Sequence, residues 1–182
     1  MTPELLSKVM LCPLARAEKW CAALSDAMIA YQINTPAREA AFLAQIGHES
    51  GRLLYVKELW GPTGQQTRYE GRADLGNTEP GDGHRYLGRG LLQITGRANY
   101  RAIGNVFGVD FENSPELLQT PHWAARSAAY FWHTHGLNEL ADAGEFDAIS
   151  DIINRGHRTR KIGDANGYAD RLALYEHAKQ LL

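Results

Sequence analysis

Between Trp60 and Gly90 the hydrophobic rhythm that governs the rest of the chain stops. That window holds eight glycines and two prolines among many polar residues, with no sustained period of two or of 3.6. It is too long for an ordinary connector, so the spacing predicts a functional lobe or lid set on a helical body. Part of it is expected to form a small hairpin. Everything around it reads as helix, and strand signals are few, so the fold class is mainly α.

Trp20, Leu24, Ala27, Met28 and Tyr31 recur at helical spacing and give one apolar stripe over about 14–32. Thr35 followed by Pro36 marks a second helix, running to about Ser50 before Gly51. Thr120-Pro121 opens a third, which carries Trp123, Ala124, Ala128 and Trp132 to a stop at Gly136. Shorter helices are predicted at 97–107, 114–119 and 146–153, and a C-terminal one at 165–181. No internal repeat or domain boundary is visible, and 182 residues at 44% hydrophobic suffice for one core, so residues 1–182 are expected to form a single catalytic domain.

A formal charge of −2 gives no broad electrostatic case for nucleic acid or an anionic membrane. The first residues lack a basic stretch followed by a sustained apolar run, and Pro13 interrupts Val9–Leu14, so neither a signal peptide nor a membrane-inserting helix is expected. Cys12 and Cys21 read as a reduced, packed pair. The seven histidines do not suggest a metal: His133 and His135 face different directions on one helix, and there is no His-Glu-x-x-His. Neither metal nor cofactor is expected.

Chemistry concentrates in two places. Residues 88–100, Gly-Arg-Gly-Leu-Leu-Gln-Ile-Thr-Gly-Arg-Ala-Asn-Tyr, combine glycines that allow close backbone approach with Gln93, Thr95 and Asn99, which can exchange hydrogen bonds with sugar hydroxyls, N-acetyl groups or a water. Upstream, Gly-His-Glu-Ser-Gly (47–51) supplies Glu49, and Glu58 follows. Two carboxylates beside a polar, glycine-rich wall suggest glycoside hydrolysis. Phe42, Ile46 and Glu49 share one helical face, so Glu49 sits half-buried at the negative end of its helix; both circumstances favour a protonated carboxyl, as a general acid requires. The competing reading is a frayed helix end neutralised by Arg52 or Lys57.

Glu58 is the candidate base, with Glu70 as its rival. Nine residues of unbroken helix would place Glu58 about 13.5 Å from Glu49, beyond the roughly 6.5–9.5 Å across which an inverting pair holds a water. A turn at Gly51 is therefore required, with residues 51–95 building a facing wall. Trp60, Tyr69, Tyr86 and Tyr100 each suit either sugar stacking or the core.

Taken with Tyr69-Glu70-Gly71-Arg72, Gly81-Asp82-Gly83, Ile152-Ile153-Asn154 and Ala169-Asp170-Arg171, these motifs resemble glycoside hydrolase family 19, the chitinase-like enzymes, and within it the bacteriophage endolysins. The resemblance runs from about Thr35 to Tyr175. It implies a lysozyme-like, two-lobed helical domain and inverting cleavage of β-1,4 bonds in peptidoglycan. In that scheme Glu49 is the acid and Glu58 the base, Thr95 helps hold the attacking water, and Gln93, Asn99, Asn154, Arg171, Tyr100 and Trp60 contact substrate. Thr95 also suits capping of the helix beginning near Gly96. Arg171 suits pairing with a catalytic carboxylate, with Asp170 or with a neighbouring helix. Arg155 stands where plant relatives have Gly after the Asn. The resemblance further implies a monomer acting on glycan strands, made in a host cytoplasm and released to the wall by a holin. A lytic transglycosylase using Glu49 alone, a chitinase and a non-catalytic wall-binding module remain the alternatives.

Overall fold

The computed structural model describes all 182 residues. Ten helices carry the fold: α1 (Pro3–Met10), α2 (Leu14–Ala30), α3 (Pro36–Glu49), α4 (Gly64–Thr67), α5 (Asp82–Arg85), α6 (Arg97–Phe107), α7 (Pro121–Thr134), α8 (Leu137–Asp142), α9 (Phe146–Arg155) and α10 (Tyr168–Lys179), with 3₁₀ turns at Ala73–Leu75 and Pro115–Gln119. No helix is long and apolar enough to cross a membrane.

The central element is α3. Its Thr35 hydroxyl accepts from the Arg38 N–H at 3.3 Å, and Pro36 occupies the first turn, where its missing N–H costs nothing. From Ala40 to Gly47 every residue is buried, so α3 is enclosed on all sides. Helix α10 packs along it most extensively, and α1, α8 and α9 cover further sides. Phe42 meets Trp132 of α7 edge-to-face at 5.4 Å, a pair that adds about 0.5–1.5 kcal/mol to its area burial.

A second, smaller apolar cluster joins Tyr86, Tyr100, Ile103, Phe111 and Leu118. Helix α7 serves both clusters: Ala124, Ala128 and Trp132 face the main core, while Trp123 and Tyr130 pack on the smaller one. This gives a helical body with a second lobe built on α6.

The expected hairpin does not form. Residues 60–90 fold into short helical turns, and pairing is limited to isolated bridges, Lys57 with Arg89 and Arg89 with Ile94. With a glycine every few residues, no run there is long enough to sustain a ladder. Outside that lobe two helices escape the periodicity reading: α1, although Thr2-Pro3 repeats the signal that opens α3 and α7, and α8, only six residues long. Cys12 and Cys21 are buried and form no disulfide, and burial pushes the Cys12 thiol up.

Candidate active site

Glu49 ends α3 with its side chain 23% exposed, above the fully buried Ile46 and Phe42. Its carboxylate is held by the Nη2 of Arg171, which rises from α10 and is itself 1% exposed. Of the three partners open to Arg171 from sequence, the structure thus selects Glu49. Arg52 instead pairs with Asp170 at 2.6 Å, so the cation that meets Glu49 at the helix end is Arg171 and not Arg52.

The same guanidinium donates from Nη1 to Gln45 Oε1 at 2.6 Å and from Nε to the Asn166 carbonyl at 3.0 Å. Gln45 in turn donates to Ser150 Oγ on α9 at 2.7 Å. Sequence reasoning missed Gln45 and Ser150. The available signal was spacing, since Gln45 lies four residues before Glu49 on one helical face. Asn166 N–H donates to Asn154 Oδ1 at 2.9 Å, which brings Asn154 onto the polar chain that orients Glu49.

Beside it, Asp170 gathers His48 at 2.7 Å and Arg52. Burial works against its charge, but the Arg52 and His48 contacts outweigh that and hold the Asp170 carboxyl below its usual range. The chain leaves α3 through three consecutive left-handed residues, Gly51, Arg52 and Leu53, at φ of 56°, 60° and 63°. Two are not glycine, at about 1–2 kcal/mol each. The Arg52–Asp170 pair and the burial of Leu53, whose N–H donates to Ser50 Oγ at 2.8 Å, offset that strain. The expected break after Ser50 is present, and it takes three residues rather than Gly51 alone.

Glu58 lies on the far side of this turn and is gripped by neutral donors. Its Oε1 accepts from Gln66 Nε2 at 3.0 Å and Tyr69 Oη at 3.3 Å, and its Oε2 accepts from Gly88 N–H at 3.2 Å. The Glu58 N–H donates to the Gly88 carbonyl at 2.8 Å, so main chain and side chain dock on one residue. Burial, reinforced by the adjacent Glu58 charge, pushes the Tyr69 hydroxyl up. Gln66 was also missed from sequence. It forms a capping box with Thr63, and the buried amide is thereby fixed in orientation.

Gly88 joins the two sequence motifs. A Cβ there would lie 2.6 Å from Gln93 Oε1 and 3.3 Å from Thr95 Oγ1. Gln93, held at φ 52°, donates to the Gly90 carbonyl at 3.0 Å, and Thr95 Oγ1 donates to the Gln93 carbonyl at 3.2 Å. Thr95 does not cap α6, whose cap position is Gly96. Asn99 is exposed, with its amide on the Thr95 carbonyl at 2.7 Å. Gln93, Thr95 and Asn99 share a groove of about 520 Å³ with Leu92, Ile94 and Phe131.

Two candidates are reassigned. Tyr100 is core: fully buried, its hydroxyl donates to the Leu87 carbonyl at 2.7 Å and accepts from Arg89 at 2.8 Å, and burial pushes it up to about 12. Tyr86 packs against it at 5.3 Å. Glu70 is exposed, but both oxygens are occupied by the N–H groups of Gly81 (2.6 Å) and Gly83 (2.8 Å), so it fastens a loop. Trp60 is half-buried, edge-on to His84 at 4.9 Å.

Two carboxylates thus stand in separate cradles, Glu49 on a guanidinium and Glu58 on neutral donors. Residues 25–142 match the family model for glycoside hydrolase family 19, described as chitinase class I. The chain belongs to glycoside hydrolase family 19. It is 30% identical over 165 residues to a glycosyl hydrolase family 19 domain-containing protein of Haemophilus influenzae, covering 76% of each chain. It is 32% identical over 136 residues to an Arabidopsis thaliana endochitinase, covering 74% of this chain but 45% of that one. The chain therefore spans under half the length of that plant relative. Among solved structures, a bacterial family 19 chitinase superposes with a TM-score of 0.75 at 25% identity, over 99% of this chain and 93% of the other. Chitinase C of Streptomyces griseus, at 23% identity and a TM-score of 0.72, shares the fold. The protein is thus a chitinase-like glycoside hydrolase with the lysozyme-like helical fold of this family.

Proposed function

We propose that this family 19 enzyme is an endolysin that hydrolyses β-1,4 bonds of bacterial peptidoglycan with inversion. Glu49 protonates the leaving oxygen, and Arg171 meets the negative charge that remains on the carboxylate. Glu58 takes a proton from water on the opposite face of the sugar. Thr95, packed beside the Gly88 anchor, helps hold that water, and Gln93, Asn99, Asn154 and Trp60 contact the glycan.

The cradle around Glu58 carries this reading. Gln66 and Tyr69 reach its Oε1 from the glycine-rich lobe and Gly88 reaches its Oε2 from the 88–100 motif, so the carboxylate is held in one orientation beside that motif, whereas Glu70 is bound only by main-chain N–H groups of its own loop. A transglycosylase, which closes the sugar on itself with one carboxyl group, has no use for such a second site. The choice of peptidoglycan over chitin rests on the sequence resemblance to phage endolysins from about Thr35 to Tyr175. With it go a monomeric enzyme, synthesis in a host cytoplasm and release to the wall by a holin.

Mass analysis of soluble products from purified cell wall and from crystalline chitin tests the proposal. Faster release from wall, as fragments with ordinary reducing ends, is the expected result. Ends of 1,6-anhydro type would transfer the chain to the transglycosylase reading, and faster release from chitin would reverse the substrate.

A further inference from the structure

Directly after Asn154 the chain runs Arg155-Gly156-His157-Arg158-Thr159-Arg160-Lys161, four permanent cations within seven residues of a chain whose formal charge is −2. All four are exposed. The segment is nevertheless built rather than merely hung. Asp151, fully buried on α9, accepts from the Thr159 N–H at 2.8 Å and hydroxyl at 3.0 Å, and Asp164 lies 2.8 Å from the same hydroxyl. Asp147 accepts from the Gly163 N–H at 2.7 Å. Hydrogen bonding from Thr159, with the Arg155 and Lys161 charges, holds the Asp164 carboxyl below its usual range.

The nearby acidic groups are therefore engaged as fasteners, while the cations project. Arg158 pairs with Glu145 at 2.6 Å and Arg155 with Asp164 at 3.7 Å, whereas Arg160 and Lys161 make no ion pair. Position gives this strip its meaning. The chain leaves the last turn of α9, which holds Asn154, and returns at Asn166, the two residues hydrogen-bonded to each other, and the Asn166 carbonyl accepts from Arg171, which grips Glu49. The base of the cation-bearing loop is thus tied to the residue that holds Glu49.

We propose that the 155–161 loop is an anion-recognition strip that engages the stem-peptide carboxylates of peptidoglycan, with Arg160 and Lys161 as its free contacts. This rests on the endolysin reading and deepens it, because chitin carries no such charge and gains nothing from the strip. Each contact is individually weak in water, so the advantage comes from several acting at once and from attraction at a distance. Salt screens both.

The test compares the parent with the double variant R160E/K161E on purified peptidoglycan stripped of wall phosphate polymers, with its stem carboxylates either free or neutralised by amidation. The parent should cleave the free form about tenfold faster than the amidated form at low salt, and lose that preference near 1 M salt, where the Debye length is about 3 Å. The double variant should lose the preference at low salt while matching the parent on the amidated form. Equal parental rates on both forms, or a variant that keeps the parental preference, overturns the proposal. A preference seen only before the phosphate polymers are stripped overturns the carboxylate assignment. A parent inert on every form of peptidoglycan refutes the endolysin reading and this inference with it, whereas cleavage without preference refutes the inference alone.

Discussion

Replacing Arg171 by Met keeps most of the apolar stem and removes the guanidinium that joins α3, α10 and the loop before α10. Three partners lose a donor: Glu49, Gln45 and the Asn166 carbonyl. Gln45 is fully buried, so its Oε1 is left unsatisfied, at about 1–3 kcal/mol. Breaking a buried ion pair costs about 3–5 kcal/mol, but Glu49 is 23% exposed and regains water, and the desolvation of Arg171 is no longer incurred. The sum is a loss of about 2–3 kcal/mol. For a chain of this length that lowers Tm by about 4–12 °C, readable by calorimetry or circular dichroism. Activity should fall further than stability, by about 10²–10³-fold in kcat, because the charge left on Glu49 loses its preorganised partner. Arg171→Lys should recover part of the activity but less of the stability, since an ammonium lacks the fork that reaches Gln45 and Glu49 together. A variant Arg171→Met as stable and as active as the parent would refute both the buried pairing and the role assigned to it.

Gly88→Ala should drop kcat/KM by about 10²-fold while shifting stability by less than about 1 kcal/mol, since the new methyl displaces the movable end of Gln93 yet sits beside the Glu58 anchor; equal losses in stability and rate would contradict this. Tyr100→Phe should cost about 1–2 kcal/mol and leave KM unchanged, because its hydroxyl serves Leu87 and Arg89; a raised KM in an equally stable variant would return Tyr100 to the cleft. Burial opposes the charge of Asp82, but Arg97 at 2.5 Å prevails and its folded carboxyl lies below the usual range. The stability difference between the parent and Asp82→Asn should thus hold from neutral pH down to about 4 and close as pH falls further. A gap that does not narrow at all as pH falls below about 4 would sink that assignment.

Periodicity located α2, α3, α6, α7 and α10 to within a few residues, because each either carries an apolar stripe or opens on a Thr-Pro pair. Glu49, Glu58, Gln93 and Thr95 stand out in the sequence as candidates by their chemistry, and Asn154 through the family resemblance. What stayed hidden was which polar groups face each other. Arg171 chooses Glu49 over Asp170 only because α10 lies along α3 in one register, and Glu70 closes on Gly81 and Gly83 only once the glycine-rich loop has folded. Gln66 and Gln45 look like ordinary amides in the sequence; burial beside a carboxylate makes them part of the site. Tyr100 shows the converse, an aromatic in a sugar-binding motif that the second core claims.

Inversion by two carboxylates is tested most directly by the configuration of the first sugar end released. Proton NMR recorded during early hydrolysis, before the anomers equilibrate, should show the α-anomer from a β-1,4 linkage, and this signal should vanish in both Glu49→Gln and Glu58→Gln. A β-anomer, or an α signal that survives loss of the Glu58 carboxylate, would contradict the assignment of acid and base.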